Sequence, residues 1–359
     1  MTIIHVVEPF ATGINTFIHE LVSGMPNDNH IIIHGERDDN RELASIIAEY
    51  NKDVTFIPWN HAQRELKLVK DFRCYLSLRK LLKAHSFDVV HLHSSKAGAI
   101  GSFWSFTTRK KNVVYTPNAV SFLRTDVSKI KIKLFKFIEK CIYRSGVNIV
   151  SCSQSEYDTY KKAGIETRII KNGVTIDKHT SKSISKNESH FKIVVNGKIT
   201  TQKNPELVNS IAEHFKNDPS ISFYWIGDGE LKNMLDTTYV NVLGWCTKEQ
   251  VYQELETADL YLSASLWEGL PLSCIEAMSF KLPLLLSNCP GNVDVVEHEL
   301  NGYIFETGQE AIAVINELKN NPEKRQKMSE QSQLMYEKFS HHKCAGEYRK
   351  LYSTMIAKK

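Results

Sequence analysis

The sequence predicts an α/β chain of two doubly wound, Rossmann-like domains facing each other across a cleft. Three observations predict it. Short β-branched runs alternate with longer stretches whose apolar residues recur every three or four positions, and such alternation implies parallel sheets covered by helices on both faces. The alternation occurs twice, and between the two series lies TIDKHTSKSISKNESH (175–190), polar and nearly free of large apolar groups. Finally, 359 residues, 42% hydrophobic and 24% charged, exceed what one core usually organises and suit two.

Taken in order, TIIHVV (2–7), HIIIH (30–34), VTFIP (54–58), FDVVHLH (87–93), NVVYT (112–116), VNIVSCS (147–153) and TRIIKN (167–172) have the β-branched content of strands. Between the third and fourth, residues 61–84 place apolar side chains at helical spacing. The second series is FKIVVNG (191–197), ISFYWIG (221–227), VNVLGW (240–245), ADLYLSA (258–264), LPLLLS (282–287) and GYIF (302–305), and HHKCAGEYRKLYSTMIA (341–357) is again helical by pattern. The expected domains are residues 1–174 and 191–339, with 175–190 as linker and hinge. Ligands of such sheets bind at the carboxyl ends of strands, so the residues just after the strands are the candidates.

Charge is distributed unevenly. Residues 1–172 hold 25 Lys and Arg against 17 Asp and Glu, whereas 173–359 hold 20 against 24. The excess lies in 64–83, with seven bases and two acids, and in 109–144, with ten and two. Both stretches interleave bases with Leu, Ile, Phe and Tyr. One reading is a core-facing stripe with a solvated lysine face; the sharper one is a surface for anionic lipid headgroups or a phosphorylated acceptor. Nucleic acid is disfavoured, because the aromatics sit at core-like spacing and no binding motif accompanies the charge. No apolar run approaches the roughly 18 residues of a membrane span, and MTIIHVVEPF enters a strand without a charged leader, so a mature cytoplasmic protein is expected. Seven cysteines without CxxC pairing read as reduced thiols, not as a disulfide framework or a zinc site. Asp38 and Asp39 lie in a polar turn without the D-x-D spacing of a metal pair.

The stretch EGLPLSCIEAM (268–278) follows a predicted strand. Gly269 permits a tight path, Pro271 suits the first helical position, and a helix starting near Leu270 or Pro271 aims free backbone N–H groups at an anion such as a diphosphate. Glu268 precedes that terminus, close to whatever the phosphate carries. Glu276, one to two turns inside, can accept hydrogen bonds from vicinal hydroxyls such as those of a ribose. The same residues also read as a favourable charge near a helix terminus and a surface glutamate.

EGLPLSCIEAM, with the following LPLLLS and the later ELNGYIF, resembles the E-x7-E signature of family 4 (glycosyl transferases group 1), the large retaining family of GT-B glycosyltransferases that use nucleotide-sugars. Other segments agree in the same order. VNGKITTQKNPELV (195–208) resembles the family's G-R-x(4)-K-G segment, with Lys198 for the arginine, Lys203 for the second base and Asn204 in place of glycine. WIGDGELK and VNVLGW match the next two strands and their turns, and KNGVTID (171–177) resembles P-N-G-V-D before the interdomain linker. FDVVHLHSSKAGAIGSFWS (87–105) resembles the H-x-H-x-x-K-A-G segment of the branch that builds bacterial surface polysaccharides.

The resemblance implies roles. Lys198 and Lys203 neutralise the diphosphate leaving group, Gly269, Leu270 and Pro271 meet sugar hydroxyls or phosphate, Glu268 lies beside the transferred sugar, and Glu276 binds the ribose. Backbone near Gly244, Trp245 and Cys246 contacts the base. No cofactor and no catalytic metal are implied, only a nucleotide-sugar co-substrate, UDP in preference to GDP. His91 and His93 alternate along a strand and share a face, and the resemblance brings His93 to the donor sugar. Thr12 and Gly13 stand in the place of the family's first glycine-rich loop, with one glycine where two are usual. In VVYTPNAVSF, Asn118 and Ala119 replace the usual His and Gly, so acceptor recognition differs from typical members. The segment 340–359 is implied to cross back onto the first domain.

The resulting expectation is a retaining, metal-independent transferase. It would move a hexose or N-acetylhexosamine to a lipid-linked or oligosaccharide acceptor of capsule, O-antigen or exopolysaccharide, peripherally at the cytoplasmic membrane face. A front-face route, in which the clamped diphosphate helps remove the acceptor's proton, is favoured over a covalent intermediate on Glu268. Two alternatives are carried. A nucleotide-sugar 2-epimerase of the same fold leaves the basic amphipathic stretches without a purpose, and a catalytically silent partner in a polysaccharide-assembly complex is suggested by Asn118 and Asn204. A dinucleotide dehydrogenase is disfavoured, since no GxGxxG follows the first strand.

Overall fold

The first half of the chain alternates strand and helix as β1 (Thr2–Val7), α1 (Thr12–Ser23), β2 (Asn29–His34), α2 (Leu43–Ile47), β3 (Thr55–Pro58), α3 (Leu68–Ala84), β4 (Val89–His93), α4 (Ser94–Thr108), β5 (Val113–Thr116), α5 (Lys129–Arg144), β6 (Asn148–Ser151), α6 (Gln154–Lys162) and β7 (Arg168–Ile169). A computed structural model describes residues 1–35, 43–63, 67–176 and 190–357. The seven strands form one sheet in the order β3-β2-β1-β4-β5-β6-β7, with every pairing parallel. The order reverses direction between β1 and β4, where Val7 pairs with His93.

The second half runs β8 (Phe191–Asn196), α7 (Pro205–His214), β9 (Ile221–Ile226), β10 (Val240–Gly244), α8 (Lys248–Thr257), β11 (Leu260–Ser263), α9 (Leu272–Ser279), β12 (Leu284–Ser287), β13 (Gly302–Phe305), α10 (Gly308–Asn320) and α11 (Pro322–Tyr336), and the chain ends in α12 (His341–Ala357). Its six strands are also all parallel, in the order β10-β9-β8-β11-β12-β13, with the reversal between β8 and β11. Two compact units result: Met1–Leu123, Val127–Gly173 and His341–Lys359 make one, and Arg124–Asp126 with Val174–Ser340 the other.

The strands are near-continuous apolar runs because helices cover both faces, as parallel sheets require. In the first unit Ile4, Val6, Val90 and Leu92 pack against Leu78, Trp104 and Tyr160 on one side, while Val7 and Ile32 pack with Phe10, Ile18 and Tyr50 on the other. In the second, Ile193, Phe223, Trp225, Leu260 and Leu285 meet Val208, Ile211 and Ile315. Helix starts follow local chemistry: Ser128, Ser153 and Thr307 each accept from a backbone N–H of the first turn, and Thr247 with Gln250 closes a capping box. Helix α12 packs on α1, and Arg349 pairs with Asp28 at 3.1 Å.

Two sequence expectations change, and two others fall outside the described residues. The helix expected over 61–84 begins at Leu68, because the chain after β3 first makes a turn in which Ala62 N–H donates to Trp59 O at 3.3 Å and His61 takes a φ of 69°. The strand expected over 167–172 shrinks to Arg168–Ile169. The expected hinge (175–190) falls largely on residues 177–189, and Asp38 and Asp39 fall within 36–42; these lie outside the described residues.

Candidate functional site

The crevice where strand order reverses is where ligands of open α/β sheets bind. In the second unit that point lies between β8 and β11, and the loops following those two strands carry Lys203 and Glu268. Lys203 Nζ and Glu268 Oε1 are 2.7 Å apart, with both side chains mostly buried. Gln202 Nε2 donates to Glu268 Oε2 at 3.2 Å and to the Trp267 carbonyl at 2.8 Å, while Gln202 O accepts from Leu266 N–H at 2.8 Å, so the two loops are stitched together. Burial works against the ammonium, and the Glu268 carboxylate outweighs it, holding Lys203 above the ordinary lysine value. Glycine makes the approach possible. A Cβ on Gly197 would lie 2.8 Å from Lys203 Cε, and one on Gly291, at φ +86°, would lie 2.6 Å from Glu268 Cβ.

The remaining sequence candidates of this half gather at the same carboxyl edge. Lys198, half-buried, follows β8. Gly244, at φ +73°, ends β10 and accepts from Gly227 N–H at 2.9 Å; Trp245 beside it is 40% exposed, and Cys246 Sγ approaches Gly244 O at 3.7 Å. Gly269, Leu270 and Pro271 lead from β11 into α9. That helix starts at Leu272, later than expected: Pro271 caps it at φ −72°, ψ 105°, an extended conformation, and its carbonyl accepts from Cys274 and Ile275 N–H at 3.1 and 3.3 Å. Glu276 lies one turn inside α9 and is half-buried.

In the first unit the reversal puts the end of β1 beside the end of β4, and Ser94 Oγ donates to Glu8 O, joining the two loops. Gly13, in the first turn of α1, is exposed, and a Cβ there would meet nothing within 4 Å. His91 and His93 share a face, as the alternation predicts, and both are fully buried. His91 Nδ1 lies 2.7 Å from Tyr352 Oη of α12, and His91 Nε2 lies 2.8 Å from Thr116 Oγ1. His93 Nε2 lies 3.0 Å from His5 Nδ1, His5 Nε2 lies 3.1 Å from His30 Nδ1, and His30 Nε2 lies 3.1 Å from the Met25 carbonyl. Burial first, then the neighbouring rings, hold His5, His91 and His93 well below the ordinary imidazole value, so all three are neutral.

Among the described residues one group offers three donor atoms within 4.8 Å, namely His5, His91 and His93. The rings of His91 and His93 are tilted by 35° with centroids 3.9 Å apart. Asn118, at φ 57°, follows β5, and its Oδ1 accepts from Asn172 Nδ2 at 3.4 Å. Asn204, at φ 51°, caps α7 in the left-handed conformation that the glycine of the family motif favours.

Two family models match the chain: "Glycosyltransferase Family 4" over residues 11–178 and "Glycosyl transferases group 1" over residues 177–335. The chain belongs to the family 4, group 1 glycosyltransferases. This family 4 glycosyltransferase is 28% identical over 268 residues to a UDP-Gal:alpha-D-GlcNAc-diphosphoundecaprenol alpha-1,3-galactosyltransferase of Escherichia coli, with 68% of each chain covered. It is 25% identical over 334 residues to an uncharacterized 41.2 kDa protein in the cps region of Klebsiella pneumoniae, covering 88% of this chain and 89% of that one. Among solved structures it resembles a sucrose-phosphate synthase from Thermosynechococcus elongatus, with a TM-score of 0.82, 14% identity and 100% of each chain covered. Anabaena Alr3699/HepE in complex with UDP and glucose superposes with a TM-score of 0.79 and 17% identity, covering 99% of this chain and 100% of that one. The fold is GT-B.

Sequence reasoning missed several residues of these two crevices. Gln202 and Gly291 are unremarkable in sequence and matter only because β8, β11 and the loop after β12 meet. His5 and His30 lie on the first two strands, and the signal for them was available: a histidine inside an otherwise apolar buried strand needs a partner.

Proposed function

We propose that this glycosyltransferase moves a hexose or N-acetylhexosamine from a UDP-sugar to a lipid-linked or oligosaccharide acceptor in bacterial surface-polysaccharide synthesis, with retention of configuration and without a catalytic metal. The observation that carries this reading is the Lys203–Glu268 pair, 2.7 Å apart at the β8/β11 reversal point. Lys203 and Lys198 supply positive charge for the diphosphate, the start of α9 adds its N-terminal partial charge, and Glu276 takes the ribose hydroxyls. Gly244, Trp245 and Cys246 take the base, and Glu268 holds hydroxyls of the transferred sugar. The relatives named for UDP-Gal transfer and for a UDP complex favour UDP over GDP.

Both carboxylate oxygens of Glu268 are already engaged, one by Lys203 and one by Gln202, which makes it a poor nucleophile and favours the front-face route. In that route the sugar C1–O bond to the diphosphate breaks as a bond from C1 to the acceptor oxygen forms on the same face. The leaving UDP takes the acceptor's proton. By the family resemblance, Gly13 is assigned to the phosphates or acceptor and His93 to the donor sugar.

An anionic membrane surface is the proposed site of action, at the inner face of the cell membrane. Helix α5 presents Ile130, Leu134 and Phe137 outward, 80%, 44% and 60% exposed, with Lys129, Lys131 and Lys133 beside them. Helix α3 exposes Val69, Phe72 and Leu76 among its bases, and Tyr75 meets Phe103 of α4 with ring centroids 5.0 Å apart. Apolar side chains flanked by lysines fit a leaflet of anionic lipids. Among the described residues no helix is long and apolar enough to cross a membrane.

The test is calorimetric titration with UDP, GDP, UDP-galactose, UDP-glucose, UDP-GlcNAc and GDP-mannose in the presence of chelator. Selective binding of uridine ligands is the expected result. Absence of nucleotide binding, with vesicle association retained, would replace the enzyme reading by that of a silent assembly partner.

A further inference from the structure

We propose that His30 and His5 form a hydrogen-bonded relay that fixes the tautomer of His93, so that His93 offers a bare Nδ1 as acceptor for a hydroxyl group of the sugar substrate. The inference rests on the reading above that His93 faces the donor sugar.

One end of the chain of rings allows no choice of tautomer. The Met25 carbonyl oxygen accepts only, so His30 Nε2, 3.1 Å away, carries the proton and donates to it. A neutral His30 then has a bare Nδ1, which accepts from His5 Nε2–H at 3.1 Å. His5 Nδ1 is bare in turn and accepts from His93 Nε2–H at 3.0 Å. His93 Nδ1 is left with a lone pair. The opposite tautomer would set two bare nitrogens 3.0 Å apart in a buried site. Neutrality, on which the logic depends, follows from burial: His5 and His93 are fully buried and His30 is 4% exposed.

The far end of the relay points to a ligand. His93 Nδ1 is buried and has no hydrogen-bond partner among the described residues. Such an atom costs about 1–3 kcal/mol unless something supplies a donor. Its position, at the last residue of β4 beside the end of β1, is the reversal point of the first sheet. A lone pair there accepts from a sugar hydroxyl and rejects a carbonyl or carboxylate oxygen at the same position. His5 and His30 are thus positioning residues, and the relay is a specificity device as well as a lock.

The experiment uses full-length protein labelled with 15N-histidine. Ring-nitrogen spectra are expected to show His93 as the Nε2–H tautomer, assigned by its loss in His93→Gln. The bare Nδ1 resonance moves when a UDP-sugar is added. His5→Phe removes the acceptor, mixes the two tautomers and lowers kcat/KM for the sugar nucleotide about tenfold, the scale of one lost hydrogen bond. In His5→Gln the amide oxygen still accepts from His93 and the amide nitrogen still donates to His30, so kcat/KM stays within about threefold of wild type. His30→Leu, further from the site, is a second break that moves both readouts in the same direction should His5→Phe fail to fold. A protonated His93 Nδ1 in the wild type, an unchanged tautomer in both breaking variants, or stoichiometric zinc lost on His5→Phe would overturn the proposal. If the wild type turns over no sugar nucleotide while the tautomer is locked and released as described, the lock stands and the transferase role of His93 falls.

Discussion

Acidification is predicted to destabilise the first unit steeply, and the slope can be worked out. His5, His91 and His93 are fully buried and neutral in the folded protein, held well below the ordinary value of 6.5. Unfolded imidazoles take up protons below about pH 6.5, so the unfolded chain binds more protons than the folded one and stability falls as the pH falls. Each ring contributes about 1.4 kcal/mol per pH unit. Glu139 acts in the opposite direction: burial pushes it up to about 7, against hydrogen bonds from Ser121, Tyr160 and Tyr115 that work the other way. The folded protein therefore holds a proton there that the unfolded carboxylate loses above its ordinary 4.5, and acidification between those values regains stability. Those three rings less one carboxyl contribute about 3 kcal/mol per pH unit between pH 6 and 5, and His30 and His341, which burial also lowers, add to the slope in the same direction. Peptide-resolved hydrogen exchange over β1 and β4, corrected for intrinsic rates, measures it. In Glu139→Gln the offset disappears and the slope steepens by about 1 kcal/mol per pH unit. A flat profile, or a slope that Glu139→Gln leaves unchanged, would refute the picture of a neutral histidine cluster opposed by a protonated glutamate.

Other perturbations separate the roles of the second unit. Lys203→Ala is expected to lower kcat by about 100- to 1,000-fold with a smaller change in UDP affinity, measured by transfer kinetics and calorimetry. Glu276→Ala is expected to weaken UDP binding about 10- to 100-fold in the same titration. Gly291→Ala places a Cβ 2.6 Å from that of Glu268 at φ +86°, so it is expected to cost at least about 1–3 kcal/mol in urea denaturation and to abolish turnover through displacement of Glu268. Phe137→Glu is expected to reduce co-sedimentation with anionic vesicles about tenfold or more, leaving soluble-acceptor kinetics unchanged.

The sheets were legible because their strands are short β-branched runs bounded by turns, and buried parallel strands leave that signature whatever their neighbours. Helix boundaries were less so. Proline at 271 has the right φ for a first helical residue, but its ψ of 105° makes it the cap, and no sequence rule distinguishes the two. The pairing of Lys203 with Glu268, 65 residues apart, is a property of strand order, since only the reversal between β8 and β11 brings their loops together. The same holds for His5 and His93, whose rings meet because β1 and β4 are neighbours. Spacing along one strand showed that His91 and His93 share a face. It could not show that His5 and His30 complete a relay behind them.

The proposed reaction is transfer of sugar from a UDP-sugar with retention. The most direct measurement is a proton NMR spectrum of the product formed from UDP-α-galactose or UDP-α-GlcNAc and a diphospholipid-linked acceptor sugar, in chelator. Retention predicts a new glycosidic anomeric signal with the small coupling of an α linkage. A β product would contradict the front-face route, and no product with any UDP-sugar would contradict the assignment of donor and site together.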